Sequence, residues 1–197
     1  MAENRTTRTI AGFKGALAGG GARPNLFEVD IKFPSGVSGD QTQFQFMCKA
    51  AAMPAQNVAS IDVPFRGRIF KVAGDRTIDN WTVTIINQED FQLRQAFESW
   101  SELMAKLSNN SGATSPNAYM SKGTVYQLGR GASAKSEAPG GDSVVLKTYT
   151  FEDIFPVTVG EIALSYDTGD TIEEFDVEFA VNNISLVAPT ATSSDNQ

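Results

Sequence analysis

Apolar and polar residues alternate along much of this chain, which predicts short β-strands with one buried face. The clearest segments are 27–33, 81–86 and 174–181, where large apolar side chains occupy every second position. Further strands are predicted at 44–48, 58–65, 66–72 and 122–129, and residues 144–155 are predicted to form one long strand or a bent pair. Several short strands separated by turns are typical of an all-β sandwich or barrel, and this is the predicted fold.

One segment has the spacing of a helix instead. Apolar residues recur there at intervals of three and four positions: Leu93, Phe97, Trp100, Met104 and Leu107. We predict that this stripe packs on the β core and that Asn87 caps the start of the helix. The domain is therefore expected to be mainly β with one packed α-helix.

Turn-forming residues mark the breaks between these elements. Residues 73–80 contain Gly, Asp and Asn, so we interpret them as a polar turn that leads into the strand beginning at Trp81. Pro156 is predicted to force a corner after the strand 144–155, because proline fixes its backbone and lacks an N–H donor. Residues 131–142 are rich in Gly, Ala and Ser and are predicted to form a flexible connection or a hairpin tip.

The composition divides the chain of 197 residues into three segments. Residues 1–22 are predicted to be a flexible N-terminal arm, 23–187 the β domain, and 188–197 a disordered tail. Residues 1–14 lack the apolar core of a signal peptide, so we do not expect secretion. No apolar run approaches the ~20 residues that span a bilayer, so we expect no membrane contact.

The residue types present argue against most catalytic chemistry. The chain has no histidine, which excludes Ser-His-Asp and Cys-His catalysis and histidine-based zinc sites. Its single cysteine, Cys48, continues an apolar series and is predicted to be buried and inert. We predict no catalytic, cofactor or metal site, and no enzyme.

Negative charge is concentrated in the last third of the chain. Residues 137–197 hold 12 acidic side chains and one basic side chain, within a total net charge of -7. Three of the acidic residues, Glu174, Asp176 and Glu178, are spaced by two and share one face of a predicted strand. Acid–base catalysis needs two carboxylates that face a common pocket, so we interpret this row as an acidic surface.

Several separated segments resemble tail tube proteins of contractile-tailed bacteriophages. The most specific is Ala73-Gly-Asp-Arg-Thr77, followed by Asp79 and then Trp81-Thr-Val-Thr84. Further similar segments are 23–27, 48–55, the helix residues Arg94, Phe97 and Trp100, and 155–162. The resemblance extends over about residues 23–187, in the same order along the chain.

The resemblance implies a structural role. Members of this family have a β-sandwich or barrel of Hcp-like type and form hexameric rings, which stack into a hollow tube inside a contractile sheath. The implied partners are copies of the chain itself, the tail sheath protein, the baseplate hub or tube initiator, the tape measure protein and the tail terminator. DNA would be a transient cargo that the wall repels. The implied location is the virion, with assembly in the host cytoplasm.

Two hypotheses about particular residues follow, each with an alternative. Asp75 and Arg76 are expected at a contact between subunits or rings, or else in a salt bridge within one protomer. Glu174, Asp176 and Glu178 are expected on the wall of the channel, or else on a solvated outer face. For the whole chain, the alternatives are the inner tube of a type VI secretion or phage-like injection system, and a monomeric β-sandwich binding module.

Overall fold

The computed structural model describes residues 9–17, 21–130, 144–167 and 169–187. The strands in these ranges are β1 (Phe27–Ile31), β2 (Cys48–Ala51), β3 (Gln56–Phe65), β4 (Arg68–Ile78), β5 (Trp81–Ile86), β6 (Ser121–Gly129), β7 (Val144–Val159), β8 (Glu174–Ala180) and β9 (Asn183–Val187). The helices are α1 (Ile10–Ala16), α2 (Gln41–Met47), α3 (Gln92–Met104) and α4 (Pro116–Tyr119). The prediction of a mainly β protein is confirmed. The connection predicted at 131–142 lies outside the described residues.

The strands form two sheets. The large sheet has the order β1-β6-β7-β8-β5-β2, and β9 pairs with β7. Strands β3 and β4 form a separate two-stranded sheet. By contacts, the chain divides into a smaller unit (1–28, 125–148 and 187–197) and a larger unit (29–124 and 149–186).

The core of the larger unit lies between the large sheet and α3. Trp81, Val83 and Ile85 are fully buried on one face of β5, as their alternation predicted. On α3, Phe97 and Trp100 are also fully buried, and both rings lie 6.0 Å from the ring of Phe179 on β8. The predicted packing of this helix on the β core is therefore confirmed.

The smaller unit has buried apolar residues and hydrogen bonds of its own. Val125 and Leu128 are buried on β6, and the backbone N–H of Leu128 donates to Leu26 O at 2.9 Å. The side-chain amide of Gln127 donates to the carbonyl oxygens of Arg23 and Leu26. These bonds hold the segment before β1 against β6.

The segment predicted as a strand at 44–48 is a helix over most of its length, α2. The Asp40 carboxylate accepts hydrogen bonds from the backbone N–H groups of Thr42 and Gln43, which caps the helix start. Phe44 is buried whereas Phe46 is exposed, because residues two apart on a helix point in different directions. The alternation of apolar residues was too short to distinguish the two structures.

Helix α3 begins later than predicted and does not use Asn87 as its cap. Its N-cap position is Phe91, whose φ is 53°, and the helix starts at Gln92. Asn87 instead pairs with Glu173: its backbone N–H donates to Glu173 O at 2.8 Å and its side-chain amide donates to Glu173 Oε2 at 2.9 Å. Leu107 lies beyond the helix and is 94% exposed.

The predicted corner at Pro156 and the first part of the predicted turn at 73–80 are wrong, because β-bulges take their place. Asp79 and Asn80 do lie between β4 and β5, as predicted. Residues 73–78 continue strand β4, and Gly74 and Asp75 together lie opposite Ala59 at a bulge. Pro156 does not form a corner: β7 runs through it, and the register with β8 shifts between Pro156 and Thr158. A bulge accommodates a residue that cannot donate to the ladder.

Candidate assembly surfaces

Strands β3 and β4 form a long hairpin in which every residue except Gly74 and Ile78 is exposed. The turn at Arg66 and Gly67 has positive φ at both residues, 46° and 79°, which suits a tight two-residue hairpin. Residues directly opposite one another share a face, so the register places five apolar side chains on one side. We call this the apolar face of the hairpin: Ile61, Val63, Phe65, Phe70 and Val72.

No described residue covers the apolar face of the hairpin. Its five side chains are between 43% and 67% exposed. An isolated two-stranded hairpin is only marginally stable in water, and a contiguous exposed apolar patch marks an interaction site. The sequence pattern predicted strands at 58–65 and 66–72, with Ala59, Ile61, Val63 and Phe65 on a common face of the first.

Asp75 and Arg76 lie on β4 near the base of this hairpin. Asp75 is at the bulge, and Arg76 lies opposite Val58. Both side chains are exposed, and neither forms an ion pair or hydrogen bond with any residue in the described ranges. Asp75 and Arg76 also form no salt bridge with each other, and their role at an intermolecular contact stays a prediction.

Glu174, Asp176 and Glu178 form one row on β8, which we call the acidic row. Their neighbours in sequence, Phe175 and Val177, are buried on the opposite side of the sheet. The acidic row therefore lies on the face of the sheet that is turned away from α3.

Three donors bind the acidic row: one on β2, one on β5 and one just before β5. The Lys49 ammonium lies 2.5 Å from Glu174 Oε1, and the Thr84 hydroxyl donates to Asp176 Oδ1 at 2.6 Å. The Asn80 amide donates to Glu178 Oε1 at 2.9 Å. The predicted common face is present, and each carboxylate of the row has a polar partner.

The ends of the large sheet are further unpaired surfaces. Strand β1 has only β6 beside it, and β2 has only β5, among the strands that the structure describes. Unpaired strand edges expose backbone N–H and C=O groups, to which a strand from another molecule can add.

Arg94 on α3 anchors the segment that follows β7. Its guanidinium donates to Gly160 O at 2.5 Å, pairs with Glu98 at 2.7 Å and lies over the ring of Phe175. The backbone N–H of Gly160 donates to Asp176 O at 2.6 Å. The segment after Gly160 therefore leaves the sheet from a fixed point.

The described residues offer few other candidate sites for metal binding, membrane insertion or thiol chemistry. In the described ranges, no three His, Cys, Asp or Glu side chains are grouped as metal ligands would be. No helix there has the length and apolar character to cross a membrane. Cys48 is partly buried, and burial raises the pKa of its thiol from 9.0 to about 12.

These features define the protein as one suited to assembly with other copies of itself. It is a mainly β domain with open sheet edges and an uncovered apolar hairpin. Its fold is that of proteins in contractile injection machines. One is the tube-terminating cap of the anti-feeding prophage, with a TM-score of 0.60, 14% identity and coverage of 86% of this chain and 92% of that one. Another is a chain of the sheath–tube complex of an extracellular contractile injection system, with a TM-score of 0.57, 13% identity and coverage of 89% and 97%.

Sequence similarity identifies the family. The profile of the family described as phage tail tube protein matches residues 22–183. The chain is 36% identical to the tail tube protein gp19 of Enterobacteria phage T4, over 82% of this chain and 89% of that protein. It is 26% identical to the tail tube protein of Serratia phage KSP90, over 85% and 90%. The chain therefore belongs to the phage tail tube protein family, and its predicted role as a structural tail tube protein of contractile phage virions is confirmed.

Proposed function

We propose that copies of this chain form hexameric rings, and that the rings stack into the inner tail tube through which phage DNA enters the host. The observation that carries the proposal is the uncovered apolar face of the hairpin, in a chain of the tail tube family. Burying that face against another copy removes apolar surface from water at about 25 cal/mol per Å². The open edges at β1 and β2 supply further pairing surfaces.

Phage DNA is favoured over a protein cargo. The relatives at 36% and 26% identity are phage tail tube proteins, whereas the injection-system structures share only 13% and 14% identity. The uncovered hairpin also argues against a monomeric binding module, because such a module would expose this surface permanently.

Asp75 and Arg76 are proposed to contact a neighbouring subunit or ring. Their exposure and their lack of partners among the described residues support this role. Exchanging Arg76 for glutamate should reverse one charge of the contact and raise the protein concentration needed for tube formation. Lys106→Glu is the matched control, since Lys106 is an exposed cation away from the hairpin.

The assay is sedimentation of assembled tubes as a function of protein concentration. We expect Arg76→Glu to shift assembly about tenfold, which corresponds to about 1.4 kcal/mol, while Lys106→Glu leaves it unchanged. Equal assembly of the Arg76→Glu variant and the wild type would remove this residue from the contact.

The acidic row is proposed to face the channel. An acidic wall repels phosphate, so it lowers the affinity of DNA for the tube during transit. Its position on the sheet face opposite α3, with donors that fix each carboxylate, supports this orientation.

This orientation can be tested with Glu174→Gln, Asp176→Asn and Glu178→Gln combined, which retain size and hydrogen-bonding capacity. Phage particles that carry this tube should eject DNA more slowly at low salt, and the difference should shrink as salt screens the charges. Ejection kinetics identical to wild type at every salt concentration would place the row outside the channel.

The remaining partners follow from the tube role. We propose that the chain assembles in the host cytoplasm with the tail sheath protein, the baseplate hub or tube initiator, the tape measure protein and the tail terminator. Structures of similar fold come from a sheath–tube complex, a sheath/tube terminator and a baseplate, which supports three of these contacts. The role is structural and requires no catalytic step.

A further inference from the structure

The hairpin carries positive charge next to its apolar face. Residues Gln56–Ile78 include four basic and two acidic side chains, a net charge of +2. Arg66 lies in the turn and Arg68 directly follows it, and Arg68 lies opposite Phe65 on the apolar face. The tip therefore presents an aromatic ring beside two exposed guanidinium groups.

A second exposed surface has the opposite charge. We call residues 161–167 and 169–173 the acidic loop: they hold Glu161, Asp167, Asp170 and Glu173 and no basic residue. Leu164 and Ile172 in this loop are 77% and 71% exposed. Both line a shallow cleft of about 380 Å³. The acidic loop thus combines apolar side chains with a net charge of -4.

Both ends of the acidic loop are fixed to the larger unit. At the start, Gly160 is held by Arg94 and by the backbone of Asp176. At the end, Asn87 binds both the backbone and the side chain of Glu173. Both ends of the acidic loop are therefore held in place, so the loop can serve as a binding surface for a partner.

We propose that the hairpin tip of one copy docks on the acidic loop of a second copy. This rests on the proposed tube function and specifies one of its contacts. Phe65 and Phe70 would cover Leu164 and Ile172, while the tip arginines would pair with carboxylates of the loop. The occupant is another copy because the two surfaces match in charge, and both carry uncovered apolar side chains.

The geometry of such a contact explains how assembly continues. The hairpin and the acidic loop are different surfaces of the same chain, so docking one on the other is a heterologous contact. Heterologous contacts leave a free hairpin and a free loop at the two ends of every open complex. They therefore produce closed rings or extended helical assemblies.

A charge exchange tests the contact. Arg68→Glu and Asp170→Lys should each raise the protein concentration at which tubes form by about tenfold, since each places like charges together. The double variant, with both substitutions in one chain, should return assembly to near the wild-type concentration. Both residues are exposed, so the melting temperature of the unassembled chain should change little.

The control and a second measurement make the outcome decisive. Glu89→Lys changes the net charge as Asp170→Lys does, at an exposed site outside the acidic loop, and should assemble normally. In a Cys48→Ala background, mixing an Arg68→Cys chain with an Asp170→Cys chain should yield disulfide-linked dimers that neither chain forms alone.

The possible failures are distinguishable. If wild-type tubes form but the single variants assemble normally, or the double variant is not rescued, the docking site is wrong and the tube function stands. If the wild-type chain forms no tubes at all, the proposed function itself fails.

Discussion

At the scale of single residues, the acidic row shows how neighbours set the charge of a surface. Lys49 is a charged donor to Glu174, whereas Asp176 and Glu178 are bound by the neutral side chains of Thr84 and Asn80. Neutral donors position a carboxylate without cancelling its charge. The row therefore stays negative although each of its members has a partner.

Cys48 yields a prediction about reactivity. Burial raises the pKa of its thiol from 9.0 to about 12, and only the thiolate is nucleophilic. At pH 8 the folded protein should react with iodoacetamide on the order of a thousand times more slowly than the denatured chain. Similar labelling rates before and after denaturation would contradict this.

The same shift makes stability depend on pH. The unfolded thiol loses its proton near pH 9.0, whereas the folded thiol keeps it until about pH 12. The unfolded state therefore binds fewer protons in this window, and the free energy of unfolding should fall as the pH rises through it. Denaturant titrations should show a steeper fall for the wild type than for Cys48→Ala.

At the scale of elements, helix α3 provides the strongest internal test of the core. Phe97 and Leu107 both belong to the apolar stripe predicted from the sequence, but Phe97 is fully buried and Leu107 is 94% exposed. Phe97→Ala should lower the free energy of unfolding by about 3–5 kcal/mol, and Leu107→Ala by less than about 0.5 kcal/mol. Equal losses in denaturant unfolding would contradict the observed end of the helix.

The elements also show what local pattern could and could not predict. Strand β5 and the buried part of α3 were predictable, because their periodic apolar faces pack directly on the core. Helix α2 was not, because its helical form depends on the Asp40 cap as well as on spacing. Gly74 and Asp75 were interpreted as a turn, since the residues that favour turns also favour bulges.

The candidate surfaces were predictable only in part. The spacing of Glu174, Asp176 and Glu178 was sufficient to place them on one face. The alternation in β3 predicted which of its side chains share a face. Whether that face is exposed depends on which other element covers the strand, and the local sequence does not determine this. The acidic loop has no periodicity at all, so its exposed Leu164 and Ile172 gave no signal in the sequence.

At the scale of the whole molecule, the protomer leaves unpaired surfaces of three kinds. The hairpin has an apolar face in solvent, the large sheet has open edges at β1 and β2, and the acidic loop concentrates negative charge beside apolar groups. Each would be a liability in a permanent monomer. Together they support the proposal that the tail tube is built from copies of this chain.

The most direct test of this account is electron microscopy of the purified full-length chain over a range of concentrations, with image reconstruction of any assemblies. We predict hollow tubes of stacked six-membered rings, in which the hairpin of each copy is buried against another copy and the acidic row lines the bore. Single particles at every concentration, or tubes whose hairpins project into solvent, would contradict the account.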